Sequence, residues 1–429
     1  MTTTTPPLAD LLPERMGSPE SWAVQGRTPQ AVVQATNADE VVRTLTAANA
    51  EGWAVEPAGA GTWLDSGRPP QGLDVVLATR GLARAPDHAP DDLTVAVDAG
   101  TTLGELQATL AEQRQWLPLD PPGSERGTVG ALVATAAAGP LRHGYGTPRD
   151  HVLGVEVVAG DGRLLRFGGR VVKNVAGYDL TRLLVGSRGT LAVITRVNFR
   201  LHPLPERDAT RVVRAADAPA LLALIRDLRE RHVEFVALEL LDPRASARVA
   251  PDGHASWLLV ARAHGNEDAV ASTLKQFEAL CSDQDVGADL DVGADIWKRL
   301  DEFEAGSPLV VRVADRPASL DATLQRARGL AEDGVALAAH ADGIVRVLFE
   351  PTVAAALDTD ALAARLESAR SALAGRRGSV VLASAPPDLA ARFDPFGDPG
   401  PSRRLMRGLK RTFDPAGVLS PGRFIFDAD

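Results

Sequence analysis

The chain has 429 residues, 45% hydrophobic and 24% charged, with a formal net charge of −10 and one cysteine. That length exceeds a single hydrophobic core, so two to four domains are expected, and the acidic balance excludes neutralisation of a polyanion as the main task. Cys281 alone cannot make a disulfide, a four-cysteine zinc site or an iron–sulfur cluster, and two tyrosines and 11 phenylalanines argue against base stacking, which leaves metal-free chemistry or an organic cofactor.

In chain order, Met1-Thr-Thr-Thr-Thr-Pro-Pro lacks the basic and apolar regions of a secretory signal, and residues 1–27 are expected to form an irregular extension. Val32–Thr36 is short and β-branched, as a strand is. Asn37 or Asp39 can cap a helix to about Ala50 with Val41, Val42 and Leu45 on one face. Trp53–Pro57 is a second strand that breaks into a glycine loop, and Leu73–Ala78 is a third. Leu93–Gly100 precedes a helix over Thr102–Gln113. The weakly polar run Thr128–Pro140 falls short of the roughly 20 residues of a spanning helix, so no direct membrane span is expected. His151–Gly168 alternates around Gly160-Asp161-Gly162 as a hairpin, and Leu191–Pro203 is a long strand.

Pro203-Leu204-Pro205 marks a boundary between a first domain, residues 28–205, and a second, residues 206–390. The second falls into two similar halves, each a split β-α-β unit, predicting an antiparallel sheet with helices on one face. Helix Pro401–Thr412 sits in a tail of residues 391–429. Arg403, Arg404, Arg407, Lys410 and Arg411 on it read as a solvated face over a buried stripe of Leu405, Met406 and Leu409, or else as a docking or phosphate-binding surface. The fold class is α+β, and the expected compartment is the cytoplasm, with any membrane association made through partners.

The chemistry is sought first in Pro57-Ala58-Gly59-Ala60-Gly61-Thr62, directly after a strand. Two glycines let a ligand approach the backbone, and successive N–H groups can form a nest for phosphate oxygens. It is not a dinucleotide fingerprint of the G-x-G-x-x-G kind: the third glycine would fall at Leu64, and Ser66-Gly67-Arg68-Pro69-Pro70 forbids the helix that should follow. Alone, the loop is as easily a turn. A second string strengthens it: Pro121-Pro122-Gly123-Ser124, Thr128-Val129-Gly130, Ala134 to Gly139, and His143-Gly144-Tyr145-Gly146. So few bulky side chains serve either tight packing or a large occupant.

PAGAGT, TVGALVATAAAG, HGYGTPRDHVLGVEVVAGDG, VVKNVAGYDLTRLLVGSRGTLAVIT and FDPAGVLSPGRF together resemble the vanillyl-alcohol-oxidase-type (PCMH) FAD-binding family, and within it the glycolate oxidase E-subunit group. The resemblance covers Thr28–Pro205 and the last twenty residues. It implies a two-subdomain FAD module, an α+β cap over residues 206–390 and a tail that returns to the module. Pro57, Ala58, Gly59, Ala60, Gly61 and Thr62 would hold the pyrophosphate. Pro121, Gly123, Thr128, Val129 and Gly130 would line the diphosphate and ribityl side. Gly144 and Gly146 would lie against the flavin, Ile194 near the adenine or ring edge, and Asp150 would be a structural or adenosine-side contact. The first loop holds no His or Cys, so FAD is expected to be non-covalent. Arg188 and Ala192 depart from the family's usual Glu and Gly.

The resemblance further implies oxidation of a small 2-hydroxy acid, glycolate or D-lactate, by hydride transfer to the flavin, with sister flavoprotein and iron–sulfur subunits as partners and no nucleic acid. A second reading makes the chain an electron-transfer or assembly subunit without chemistry of its own. Related dehydrogenases carry a His-rich metal motif; here only His340-Ala341-Asp342-Gly343 stands in its place, so no metal site is expected. His340 either ends a strand before a type I′ turn or, with Arg346, faces the flavin as base and carboxylate clamp. Lys173, beside Asn174, would stabilise charge on the flavin or grip a carboxylate, or else pair with Asp179.

Overall fold

Asn37 opens the first helix by accepting a hydrogen bond from the Glu40 N–H at 3.0 Å, one of the donors that every helix start leaves without a partner. In the computed structural model, which describes residues 12, 15–170, 179–250, 253–284, 286–289, 295–331, 335–375 and 378–424, that helix is α1 (Ala38–Glu51). It stops at Gly52, whose φ of 73° favours glycine. Around it run β1 (Met16–Gly17), β2 (Ala31–Gln34), β3 (Val55–Ala58) and β4 (Val75–Ala78), in the order β1-β2-β4-β3, with β2 and β3 both parallel to β4. Val41, Leu45 and Ala48 of α1 pack against Val33, Val55 and Leu77 of this sheet and against Val158 and Val193 of the next.

The second sheet is antiparallel. It comprises β5 (Asp87–Ala89), β6 (Thr94–Asp98), β8 (Val152–Ala159), β9 (Leu164–Gly168) and β10 (Ala192–Arg200), in the order β5-β6-β10-β8-β9. Helices α2 (Leu103–Ala111) and α3 (Val129–Thr135) cover it; Thr102 and Glu105 close a capping box at the start of α2. A two-stranded ribbon, β7 (Gln115–Trp116) with β11 (His202–Pro203), ends the module. There Trp116, Tyr145, His202 and His264 gather with ring centroids 5.4–5.8 Å apart, and Tyr145 Oη lies 3.1 Å from Nδ1 of His264 on the cap.

The cap is an eight-stranded antiparallel sheet of β12 (Arg207–Ala215), β13 (Ala237–Leu241), β14 (Trp257–Gly265), β15 (Ala288–Asp289), β16 (Leu309–Ala314), β17 (Val335–His340), β18 (Ile344–Phe349) and β19 (Ser379–Ser384). Its order, β15-β12-β14-β13-β17-β18-β16-β19, sets two similar halves back to back across a β13·β17 seam. The strands alternate faces, so Leu240, Leu259, Val311 and Val347 meet α4 (Ala218–Glu230), α6 (Glu267–Asp283), α8 (Leu320–Leu330) and α9 (Thr359–Ser371).

Helices on one face only were expected, and that is corrected. α5 (Pro243–Val249) and α7 (Asp295–Ala305) pack Ala245, Val249, Ile296 and Trp297 on the opposite face, over Leu241, Leu258, Val310 and Leu348. α5 has seven residues, too few for a long stripe, whereas α7 carries one in Ile296, Trp297, Leu300 and Phe303, which falls between the two β-α-β halves. The two helices leave the middle of that face open. The turn after β17 also differs: Ala341, Asp342 and Gly343 form a three-residue loop, with Gly343 alone at positive φ (100°), so it is not the two-residue type I′ turn.

After the cap, α10 (Pro387–Arg392) and α11 (Arg403–Phe413) lead the chain back to the module. Lys410 is no part of a solvated face: its Nζ donates to the carbonyls of Thr190 and Leu419 and to Asp414 at 2.7–2.8 Å. Leu405, expected in a buried stripe, is 68% exposed. Beyond α11 the tail lies along β3, where Val55 N donates to Val418 O and Ser420 N to Val55 O, both at 2.8 Å.

Candidate functional site

β3 runs out at Ala58 into a loop that presents backbone rather than side chain. Gly61 sits at φ 84°, and a Cβ on Gly59 would stand 2.0 Å from the Thr128 hydroxyl oxygen, which no side chain survives. The N–H groups of Gly59, Ala60, Gly61 and Thr62 donate to no acceptor among the described residues. Four such donors in succession fit the oxygens of a diphosphate. Behind them a cleft of about 80 Å³, bordered by Pro57, Gly59, Gly130 and Ile194, leads to a cavity of about 430 Å³ beneath the cap. Thr62, Trp63 and Arg188 border both.

The tail fixes this loop from behind. Arg423 faces Glu56 at 3.2 Å and donates to the carbonyls of Leu64, Ser66 and Arg68 at 2.9, 3.0 and 3.2 Å. One guanidinium thereby holds the turn that follows the glycines. Glu56 Oε2 stays buried without a partner, and burial pushes this carboxyl above its ordinary pKa despite Arg423.

The open stretch of the cap sheet forms the other wall of the larger cavity. At the seam Glu239 stands opposite His340 in register, and His340 Nδ1 pairs with Glu239 Oε1. Arg346 donates through one Nη to Glu239 Oε2 and through the other to Glu304 Oε2 of α7. Its register partner Ala338 is small enough to let the guanidinium lie across to Glu239. All three are closed in: Glu239 is 0%, Arg346 2% and His340 3% exposed. With Nδ1 engaged, Nε2 is the nitrogen His340 turns to the cavity it borders. Burial, aided by Arg346, holds its pKa well below the ordinary 6.5, so the imidazole is neutral. Burial pushes the Glu239 carboxyl up to about 7 against the pull of Arg346, and a neutral imidazole aimed by such a group can act as a general base.

Arg312 borders the same cavity as the register partner of Arg346 on β16. It has no carboxylate within ion-pair distance among the described residues, and burial, together with Arg142, lowers its pKa. A planar cation that faces a cavity and has no ion-pair partner among the described residues suits a carboxylate ligand.

Among the residues marked by the sequence, Pro57, Ala58, Gly59, Gly61, Thr62, Gly130 and Ile194 border the cleft, while Ala60, His340 and Arg346 border the cavity. Thr128 caps α3 through Ala131 N, and Val129 is buried beneath it. Pro121 is buried and borders neither space; Gly123, at φ 72°, donates its N–H to Asp301 of α7 at 3.0 Å. Gly144, Gly146 and Asp150 stand apart. A Cβ on Gly144 would meet Val236 of the cap at 2.6 Å, one on Gly146 would meet the Asp150 carboxylate at 2.7 Å, and Asp150 accepts from Thr147 N at 2.8 Å. Val236 of the cap and the Asp150 carboxylate thus press on those two glycines, and Asp150 caps the turn at Thr147. Lys173, Asn174 and Tyr178 lie outside the described residues. Glu239, Glu304 and Arg312 were missed. Glu239 and Arg312 left one signal, a lone charge inside an apolar strand, as in Leu238-Glu239-Leu240 and Val311-Arg312-Val313.

Comparison with known proteins follows the same lines. A family model described as FAD binding domain matches residues 29–168, and one described as FAD linked oxidases, C-terminal domain, matches residues 401–424. D-lactate dehydrogenase of Archaeoglobus fulgidus is 31% identical over 428 residues, 92% of this chain and 91% of that protein. Glycolate oxidase subunit GlcD of Bacillus subtilis is 30% identical over 263 residues, 60% of this chain and 56% of that protein. Glycolate oxidase subunit GlcE of Escherichia coli is 43% identical over 141 residues, 32% of this chain and 39% of that protein. The match thus spans about half the length of GlcD and less of GlcE. Among solved structures, p-cresol methylhydroxylase with substrate bound superposes with a TM-score of 0.72 at 17% identity, over 97% of this chain and 92% of that one, a likeness of fold. No helix of the described residues is long and apolar enough to cross a membrane.

Proposed function

The chain belongs to the PCMH-type (vanillyl-alcohol-oxidase-type) FAD-binding oxidoreductases, and on that footing we propose that it oxidises a small 2-hydroxy acid, glycolate or D-lactate. The observation that carries this is the buried Glu239–His340 pair aimed at a cavity that also holds the unpaired Arg312. Arg312 grips the substrate carboxylate. His340 Nε2 takes the hydroxyl proton while Glu239 keeps the ring in the required tautomer. FAD supplies the hydride acceptor, held without a covalent link by the Gly59–Thr62 nest, which offers no His or Cys. Arg346 was expected as the clamp; with both Nη groups committed to Glu239 and Glu304, it instead keeps Glu239 in place, and the clamp passes to Arg312.

Resemblance to the GlcD and GlcE subunits supports work within a multi-subunit glycolate oxidase, with a sister flavoprotein beside this chain. One cysteine leaves no in-chain iron–sulfur relay, so an iron–sulfur partner or a diffusible acceptor takes the electrons. The stretch 43% identical to GlcE favours one rival, an electron-transfer or assembly subunit without substrate chemistry. Anaerobic mixing of the purified FAD-loaded chain with glycolate or D-lactate separates the two. Bleaching of the yellow absorbance by one of them is expected; bleaching only after the partners are added back would leave the rival standing.

A further inference from the structure

Arg188 occupies a conformation that arginine avoids. Its φ is 54°, in the left-handed region, between Gly186 at 83° and Gly189 at 72°. The backbone is pinned there: Arg188 N donates to Ala134 O at 2.7 Å and Gly186 N to Val133 O at 2.9 Å, both on α3. Strain held in place by its surroundings gathers where a side chain is needed for function.

The guanidinium is aimed by two contacts. One Nη donates to Ser66 Oγ, in the turn that Arg423 holds, and Cζ lies 4.6 Å over the ring of Phe396. No carboxylate lies within ion-pair distance of it among the described residues. Burial, then Arg423 and Arg312, lower its pKa to about 9, which leaves it charged at neutral pH. A second unpaired cation, Arg312, borders the same cavity from the cap. Asp65 and Glu304 border the same cavity, but Glu304 is engaged by Arg346 and neither lies within ion-pair distance of these two cations, so an anion arriving with the ligand would offset their burial.

Arg188 also borders both the cleft beside the Gly59–Thr62 loop and the cavity of His340, so it lies where the two spaces meet. We propose that Arg188 is the catalytic cation that answers the negative charge the isoalloxazine gains with each hydride, so that this arginine sets the flavin's electron affinity. The balance is simple. The α-carbon gives two electrons and one proton as hydride, the hydroxyl proton goes to His340, a 2-oxo acid leaves, and the ring retains one net negative charge. Arg312 then serves the substrate carboxylate and Arg188 the ring. The assignment rests on the oxidoreductase reading above but not on the identity of the substrate.

Sulfite tests it, because sulfite adds to oxidised flavin and places the same charge on the ring without any 2-hydroxy acid. In the FAD-loaded protein, Arg188→Met is expected to weaken sulfite binding at least tenfold and to lower the two-electron midpoint potential by about 30 mV for each tenfold. Arg188→Lys should restore most of both. Ser66→Ala, which only frees the guanidinium, should shift both in the same direction by a smaller factor. Unchanged sulfite affinity in Arg188→Met overturns the proposal, and so does lost FAD affinity with unchanged sulfite affinity after reloading, which would make Arg188 a phosphate ligand. Should the Met variant not fold, unchanged sulfite affinity and potential in Arg188→Ala and in Ser66→Ala overturn it equally. If neither glycolate nor D-lactate bleaches the protein while the sulfite result holds, the substrate reading fails and this one stands.

Discussion

The module's wall and the cap's wall are built of different material. The module's wall, along the cleft, is mostly backbone: Gly59 and Gly130 pressed against Thr128 and Ala99, and four N–H groups with no acceptor among the described residues, with Arg188 as its charged exception. The cap's wall is charge: Glu239, His340, Arg346 and Arg312 on neighbouring strands, with Glu304 closing over them. Recognition of a large, constant cofactor is served by a shape that no side chain may enter. Chemistry on a small substrate needs ionisable groups whose protonation the surroundings control. The difference implies that the walls fail separately, one by losing FAD and the other by losing turnover with FAD still in place.

The largest break is expected on the cap side. His340→Gln should slow flavin reduction by the 2-hydroxy acid by about 10²–10⁴-fold while the bound flavin spectrum stays as it was, read by anaerobic stopped flow. Loss of the flavin from that variant would erase the distinction between the walls. On the module side, Gly59→Val forces a branched side chain into the Thr128 hydroxyl, and FAD affinity should fall by roughly 100-fold or more with the cap still folded. A fluorescence titration together with limited proteolysis reads both, and retained FAD would reduce the loop to a plain turn.

Arg312→Met sharpens the contrast within the cap. Removing a charge-assisted contact costs about 1.5–3 kcal/mol, so half-saturation by substrate should rise by about 10–100-fold, with a smaller change in the limiting rate. An unchanged half-saturation would return the clamp to Arg346.

The smallest effect concerns the ribbon that joins the two regions. Burial, then neighbouring His202, holds His151 at a pKa of about 4, and its Nε2 lies 3.0 Å from Tyr145 O. A histidine kept neutral in the fold contributes stability above its ordinary pKa of 6.5, and that contribution is lost as pH falls towards 4. Melting temperature should therefore drop by a few degrees over that window, and His151→Gln should flatten the drop. A variant with the same pH slope would place the acid sensitivity elsewhere.

These walls were not equally legible. PAGAGT alone is as easily a turn and gains weight only beside the small-residue string from Pro121 to Gly146, whereas the helix cap at Asn37 and the hairpin of β8 and β9 follow from local chemistry. The cap site depends on which strands become neighbours. Glu239 and His340 are 101 residues apart, and neither carries a mark of the other until β13 and β17 pair. At Gly144 and Gly146 the sequence is silent in a different way, because a glycine kept small by neighbouring protein, Val236 or the Asp150 carboxylate, reads the same as one kept small by a ligand.

Arg423 reaches Leu64 across 359 positions of sequence. The turn behind the cofactor loop is therefore unfinished for as long as the ribosome has not delivered that arginine, however early β3 and β4 fold. Uptake of FAD then belongs after synthesis rather than during it, and a chain cut before residue 423 should emerge folded in the cap yet colourless.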